Sequence, residues 1–216
     1  MKIKLTYGIT VCNESEELDN LLNFLLLHID DNDEVVVLKD ISKTNYDVHQ
    51  VVFKYIRAFR EKGISFGVLD SELNNDFAEF KNKLIELASG DYLFQIDADE
   101  LPNEFLIENI KAIIDVNKDV DCFYIPRVNK VNGITKEHIQ RWGWRVDEHE
   151  RINYADPQMR LFKLNKGIKW KNKVHEVLDN YEITTILPYE ENEDFCLYHI
   201  KDIKKQEEQN KFYDSI

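Results

Sequence analysis

Gly90-Asp91-Tyr92-Leu93-Phe94-Gln95-Ile96-Asp97-Ala98-Asp99-Glu100 decides how this chain is read. Tyr92 to Ile96 form a short apolar run of strand type, and it ends directly in three carboxylates. Between Lys83 and Lys111 there is no Lys or Arg, while Glu86, Asp91, Asp97, Asp99, Glu100, Glu104 and Glu108 all fall inside that interval. Two like charges ~4 Å apart at an effective dielectric of ~20 repel by roughly 4 kcal/mol. The local sequence therefore predicts an external positive charge at the strand end. On extended backbone Asp97 and Asp99 would share a face and could grip one cation. Oxygen ligands suit Mg²⁺ or Mn²⁺, which leave positions open for substrate phosphates. The same residues also read as an acidic turn entering a helix, since carboxylates favour helix amino termini.

Working outward, residues 3 to 99 alternate strand-type runs with helical periodicity, the pattern of an α/β protein with a mostly parallel sheet. The first strand spans about 3 to 11. Asn13 and Glu16 read as a capping pair before a helix carrying Leu18, Leu21, Leu22, Leu25 and Ile29. Further elements are expected at 35–38 (strand), 47–59 (helix) and 64–69 (strand, after a Gly63 turn). Phe77, Phe80, Leu84 and Leu87 mark a helix with Gly90 as its stop, and Pro102 or Asn103 opens another. A strand follows from Cys122 to Val128. Residues 129 to 157 show no periodic element, which in a compact domain marks a functional or mobile segment. Short strands are expected at 159–164, 168–174, 184–187 and 195–200, then a polar helix from 201. Residues 1–216 read as one domain: a ligand-binding half at 1–115, a catalytic half at 116–200 and a terminal helix at 201–216.

A chain of 216 residues with 43% hydrophobic content fills a single core. Its net charge of -13 argues against nucleic acid as a partner. Cys12, Cys122 and Cys196 are odd in number and far apart, which suits free thiols in the cytoplasm. The longest apolar run, Leu21 to Ile29, is far short of the ~20 residues of a transmembrane helix, and the start of the chain lacks a signal-peptide pattern. Any membrane contact is expected to be peripheral.

The runs Asp76 to Lys83 and Ala88 to Glu100 resemble the heart of the family 2, GT-A-type glycosyltransferases. Ile9-Thr10-Val11-Cys12-Asn13-Glu14 is similar to the family's first nucleotide loop, as is Glu34 to Asp40 to its second strand. Gln158 to Phe162 and Val174-His175-Glu176 resemble segments of bacterial members that extend lipopolysaccharide or related glycans. The likeness is good over 3–115 and fainter over 158–200. It implies transfer of a sugar, with inversion, from a nucleotide diphosphate donor, UDP-linked, to a hydroxyl of a glycan or glycolipid acceptor. It places Mn²⁺ or Mg²⁺ on Asp99 with Asp97 assisting, and a nucleotide pocket at Val11, Cys12, Asn13, Glu14, Asp40, Ala98 and Asp97. Lys81 stands where the family often has an arginine. Lys39 and Cys12 depart from the pattern, in place of an acid and an aromatic. The family's Glu-Asp pair and its Gln-x-x-Arg-Trp motif are missing, so Glu176 is the first choice of base and Asp156 the second. His175 is a further candidate metal ligand, or a phosphate contact when protonated.

Two features keep two readings each. The basic run Arg160, Lys163, Lys166, Lys169, Lys171, Lys173 suits an anionic ligand, or a half-solvated strand. Trp142 and Trp144 suit an acceptor platform, or a cap on the core. Three rival functions stay open. A sugar nucleotidyltransferase would be expected to carry a glycine-rich loop after the first strand, which Ile9 to Glu14 lacks. A metal-dependent phosphohydrolase would use Asp97 as nucleophile. A silent nucleotide-sugar-binding module would keep the fold without turnover.

Overall fold

The computed structural model describes residues 2–213. The elements run β1 (Leu5–Val11), α1 (Ser15–His28), β2 (Glu34–Asp40), α2 (Tyr46–Glu61), β3 (Ser65–Ser71), α3 (Phe77–Leu87), β4 (Tyr92–Asp97), β5 (Leu101–Pro102) and α4 (Glu104–Val116). Then follow β6 (Cys122–Ile125), β7 (Arg127–Asn132), α5 (Lys136–Trp142), β8 (Gln158–Lys163), β9 (Lys169–Lys171), β10 (Val177–Asp179), β11 (Thr184–Ile186), β12 (Leu197–Asp202) and α6 (Ile203–Tyr213). Residues 214–216 of the expected terminal helix lie outside the described residues.

A seven-stranded sheet in the order β11-β6-β8-β4-β1-β2-β3 forms the centre. β3, β2, β1 and β4 are mutually parallel, and β8 runs antiparallel between β4 and β6. The central strands are apolar on both faces because both faces are covered. Tyr7, Ile9, Val35, Val37, Phe94 and Ile96 pack on one side with Leu18, Leu21 and Leu22 of α1, Val52 and Phe59 of α2, and Ile110 of α4. Val36, Leu38 and Leu93 pack on the other with Phe80 and Leu84 of α3 and Trp170 and Leu178 of the β9–β10 hairpin. Gly8 lets α3 approach, since a Cβ there would lie 2.8 Å from Leu93 Cδ1 and 3.4 Å from Leu84 Cδ1.

Several local expectations are corrected. Asn13 does not cap α1; Glu14 occupies that position and turns its carboxylate back onto the amides of Cys12 and Asn13, at 2.9 and 3.0 Å. Gly90 is not a helix stop, because α3 ends at Leu87 with Ala88 extended. Its need is room: a Cβ at Gly90 would sit 2.8 Å from Thr6 N and 2.9 Å from Lys4 O. The strand expected from Cys122 to Val128 is two strands, divided at Pro126, so the chain leaves the large sheet there. β7 instead joins β12 and β5 in a second, three-stranded sheet. The segment 129–157 is not wholly irregular either, since Thr135 and His138 form a capping box that starts α5. Ile168 and Trp170 are buried while Lys169 and Lys171 are exposed, as on a half-solvated strand.

Candidate donor and metal site

A cleft of about 700 Å³ opens at the carboxyl ends of β1, β2 and β4. It is the crevice where open α/β sheets bind ligands. The end of β1 and the loop after it bring Val11, Cys12 and Glu14 to it, β2 brings Asp40, and the end of β4 with the turn after it brings Asp97, Ala98 and Asp99. The second sheet and the β8–β10 region close the other side with Arg127, Asp156, Arg160, His175, Glu176, His199 and Lys201. Asn13 is exposed at the loop tip, where its carbonyl accepts from Asn45 Nδ2 at 3.3 Å, and it does not line the cleft.

On the first wall Asp40 is buried and fixed. Its Oδ1 accepts from Ser42 N at 3.0 Å, Ser42 Oγ at 2.7 Å and Leu73 N at 3.2 Å. Burial, with Asp40 and Glu14 nearby, pushes the Cys12 thiol up to about 12, so it stays a protonated thiol in the pocket. Lys39 is engaged elsewhere, 2.9 Å from Asp70 Oδ1 and 2.9 Å from His49 Nδ1.

The acidic motif differs from its expectation in two ways. Extended backbone stops at Asp97, and Ala98 and Asp99 form a turn closed by Glu100 N to Asp97 O at 2.9 Å. The two aspartates therefore do not share a strand face. Nor is the cluster without cations. Arg160, buried on β8, places Nη2 2.6 Å from both Asp97 Oδ2 and Glu100 Oε1. Arg127 adds Nη1 2.9 Å from Glu100 Oε1. Asp97 Oδ1 accepts from Thr10 Oγ1 at 2.6 Å and lies 4.0 Å from Lys81 Nζ. Burial raises the Asp97 pKa, but Arg160, Lys81 and Thr10 outweigh it and hold the carboxyl well below the usual range. Both oxygens are engaged, which argues against Asp97 as the nucleophile of a phosphohydrolase.

Asp99 faces a different set. Its Oδ2 lies 3.3 Å from His199 Nε2, 3.6 Å from Lys205 Nζ and 4.0 Å from Lys201 Nζ. Burial works to raise its pKa, and the neighbouring Lys201 and Lys205 ammonium groups act to hold the carboxyl low. Burial lowers the Lys201 pKa, with Asp99 opposing. His175 lines the cleft in a left-handed backbone conformation, φ 54°, but is not gathered with Asp97 and Asp99. Among the described residues the only group of three potential ligands in mutual reach is His28, Glu104 and Glu108, away from the cleft. The imidazole that meets Asp99 is that of His199, which the sequence reading missed. A lone His in the apolar run Cys196 to Ile200 carries no spacing signal.

The donor chemistry at Asp99 fits a divalent ion. A carboxylate oxygen and an imidazole nitrogen 3.3 Å apart match neighbouring vertices around an ion with bonds of ~2.1 Å. Lys205 has an alternative partner 2.9 Å away in Glu17, onto which it can withdraw.

The two base candidates differ. Glu176 lines the cleft and bonds through Oε1 to Lys81, whose ammonium also lies 5.0 Å from the Trp170 ring centroid. Asp156 accepts from Arg127 Nε and Nη2 at 3.0 and 2.5 Å, from Asn129 Nδ2 at 2.9 Å and from Gln158 Nε2 at 2.9 Å. Burial raises its pKa, yet Arg127, Asn129 and Gln158 depress it overall. A carboxylate so occupied is a clamp rather than a proton acceptor. Trp144 lines the cleft with its ring 4.7 Å from that of Trp142, and neither belongs to the core.

Comparison with known proteins bears on the family and the fold. Two curated relatives, the SPbeta prophage-derived glycosyltransferase SunS of Bacillus subtilis (strain 168) and glycosyltransferase SunS of Bacillus phage SPbeta, are each 28% identical over 199 residues. That match takes in 90% of this chain and 39% of theirs, so the chain spans about two-fifths of their length. Among solved structures, residues 1–349 of S. aureus TarS in complex with UDP-GlcNAc superpose with a TM-score of 0.60 at 18% identity, over 92% of this chain and 59% of that one. The fold is the GT-A fold that the resemblance implied. A family model, Glycosyl transferase family 2, matches residues 7–172, and the chain belongs to that family.

Proposed function

We propose that this domain transfers a sugar, with inversion, from a UDP-sugar to a hydroxyl of a glycan or glycolipid acceptor, using Mn²⁺ or Mg²⁺. One observation carries the reading. A single cleft gathers the β1–α1 loop, Asp40 and Asp99 on one wall, with Glu176 on the other. The complex of TarS with UDP-GlcNAc, on a similar fold, supports uridine as the base. Among the described residues no helix is long and apolar enough to cross a membrane. The thiols of Cys12, Cys122 and Cys196 are free, which supports the cytoplasm as the compartment.

In this reading Val11, Cys12, Glu14 and Asp40 enclose the nucleoside. Asp99 and His199 would hold the ion, and Lys201, close to Asp99, would face the diphosphate. When bound there, a divalent ion offsets the negative charge that develops on the departing nucleoside diphosphate. Arg160 keeps Asp97 ionised and fixed beneath the sugar. Glu176 takes the proton of the acceptor hydroxyl as it attacks the anomeric carbon from the face opposite the diphosphate. Lys81 holds that carboxylate in place, and Trp144 offers an aromatic face to the acceptor.

Isothermal titration of UDP with and without Mn²⁺, alongside other nucleoside diphosphates, tests the donor. We expect metal-dependent binding of UDP that Asp99→Ala abolishes while the thermal unfolding midpoint is retained. Undiminished metal-dependent binding by that variant would refute the role of Asp99. Preference for another nucleotide would change the donor and leave the mechanism.

A further inference from the structure

We propose that Asp156 and Asn129 are a positioning pair that fixes the ring tautomer of His199, so that its Nε2 lone pair is presented beside Asp99 for a divalent ion. The inference deepens the metal-dependent donor reading and rests on it. Asp156 is held between β7 and β8: Arg127 donates twice to Oδ2, and Gln158 donates to Oδ1 at 2.9 Å. Ionised, it can only accept hydrogen bonds. The end of the Asn129 amide that meets Asp156 Oδ2, at 2.9 Å, must therefore be the NH₂ group. That turns the amide oxygen away, and it faces His199 Nδ1 at 2.8 Å. An amide oxygen has no proton to give, so Nδ1 must carry one. In the neutral ring Nε2 is then bare.

Nε2 stands 3.3 Å from Asp99 Oδ2. Two lone-pair atoms at that separation repel unless a proton or a metal ion lies against both. Backbone register reinforces the arrangement, because Asn129 of β7 is directly paired with His199 of β12. Arg127 and Asn129, two residues apart on β7, reach Asp156 from the same face. An imidazole ligand whose other N–H is held by an oxygen acceptor is the arrangement that orients metal-binding histidines, and loss of such a partner typically costs ~10–100-fold in metal affinity.

The experiment reads tautomer and metal affinity separately. Long-range ¹H–¹⁵N spectra of the imidazoles, recorded at about pH 8, well above the ordinary histidine range, report which ring nitrogen of His199 is protonated without nucleotide or metal. The wild type should show Nδ1–H. In Asp156→Asn the Asn129 amide is free to reverse, and the spectrum should shift toward Nε2–H. Mn²⁺ affinity, read from the paramagnetic resonance of free Mn²⁺ with and without UDP, should fall about tenfold or more. Asn129→Leu should lower Mn²⁺ affinity in the same direction, and it carries the test if Asp156→Asn does not fold. Combining Asp156→Asn with Asn129→Asp keeps an obligate acceptor against Nδ1 and should restore both readouts.

An Nε2–H ring or an imidazolium in the wild type would overturn the proposal. So would Mn²⁺ affinity unchanged in both single variants, or no Mn²⁺ binding by the wild type under either condition. If Mn²⁺ binds and the tautomer follows the prediction while UDP fails to bind, the uridine donor is wrong and the positioning pair stands.

Discussion

The two walls of the cleft carry opposite charge. The wall from β1, β2 and β4 presents Glu14, Asp40, Asp97 and Asp99 against one lysine, Lys81. The wall from the second sheet and the β8–β10 region presents Arg127, Lys130, Arg160 and Lys201 against two acids, Asp156 and Glu176, with His199 beside them. Where the walls meet, the charges pair: Asp97 and Glu100 with Arg160, Glu100 with Arg127, Asp99 with Lys201 and Lys205, and Lys81 with Glu176. The acidic wall is therefore neutralised by the fold itself. Charge repulsion alone does not call for an ion at β4; the case for one rests on the lone pairs of Asp99 and His199.

The sharpest way to break this comparison is to remove the cation that joins the walls. Arg160→Met should strand Asp97 and the buried Glu100, and we expect a loss of about 3–5 kcal/mol in urea unfolding. A loss under about 1 kcal/mol would mean that the walls are not held by charge. Glu176→Gln acts across the cleft in the other direction. It should lower transfer by on the order of 100-fold, the usual reach of general base catalysis, and leave UDP affinity intact. Unchanged turnover would remove Glu176 as the base.

A smaller effect lies in acid. The folded-state pKa of Asp97 is depressed, so the stability it contributes is fully present above its unfolded value of ~3.9 and is lost as pH falls through the folded value. The gap in unfolding free energy between wild type and Asp97→Asn should therefore be constant above about pH 5 and narrow below about pH 4. A gap that does not depend on pH would show that the carboxylate charge is not what Arg160 holds.

Much of the first wall was legible in the sequence because its parts are local. Each of its residues sits at the end of a strand whose apolar run is visible, and short βα loops fix where Val11, Asp40 and Asp97 emerge. Asn13 departs from that pattern and stays off the cleft lining, since the way a loop tip turns is set by contacts such as the bond from Asn45 Nδ2 to its backbone carbonyl. The second wall was hardly legible. Pro126 moves the chain from one sheet to another, and no periodicity announces that Asn129 will lie beside His199, seventy residues on.

The sequence alone determined the α/β class, the order of the first strands and helices, and an acidic strand end at Asp97 to Glu100. Those features follow from side-chain period and turn chemistry, which act over a few residues. Only the tertiary structure decided which cation meets which carboxylate, that Asp156 is a clamp, and that the imidazole beside Asp99 is His199 rather than His175. Such pairings depend on strand register between distant segments, and a short-range pattern carries no information about it.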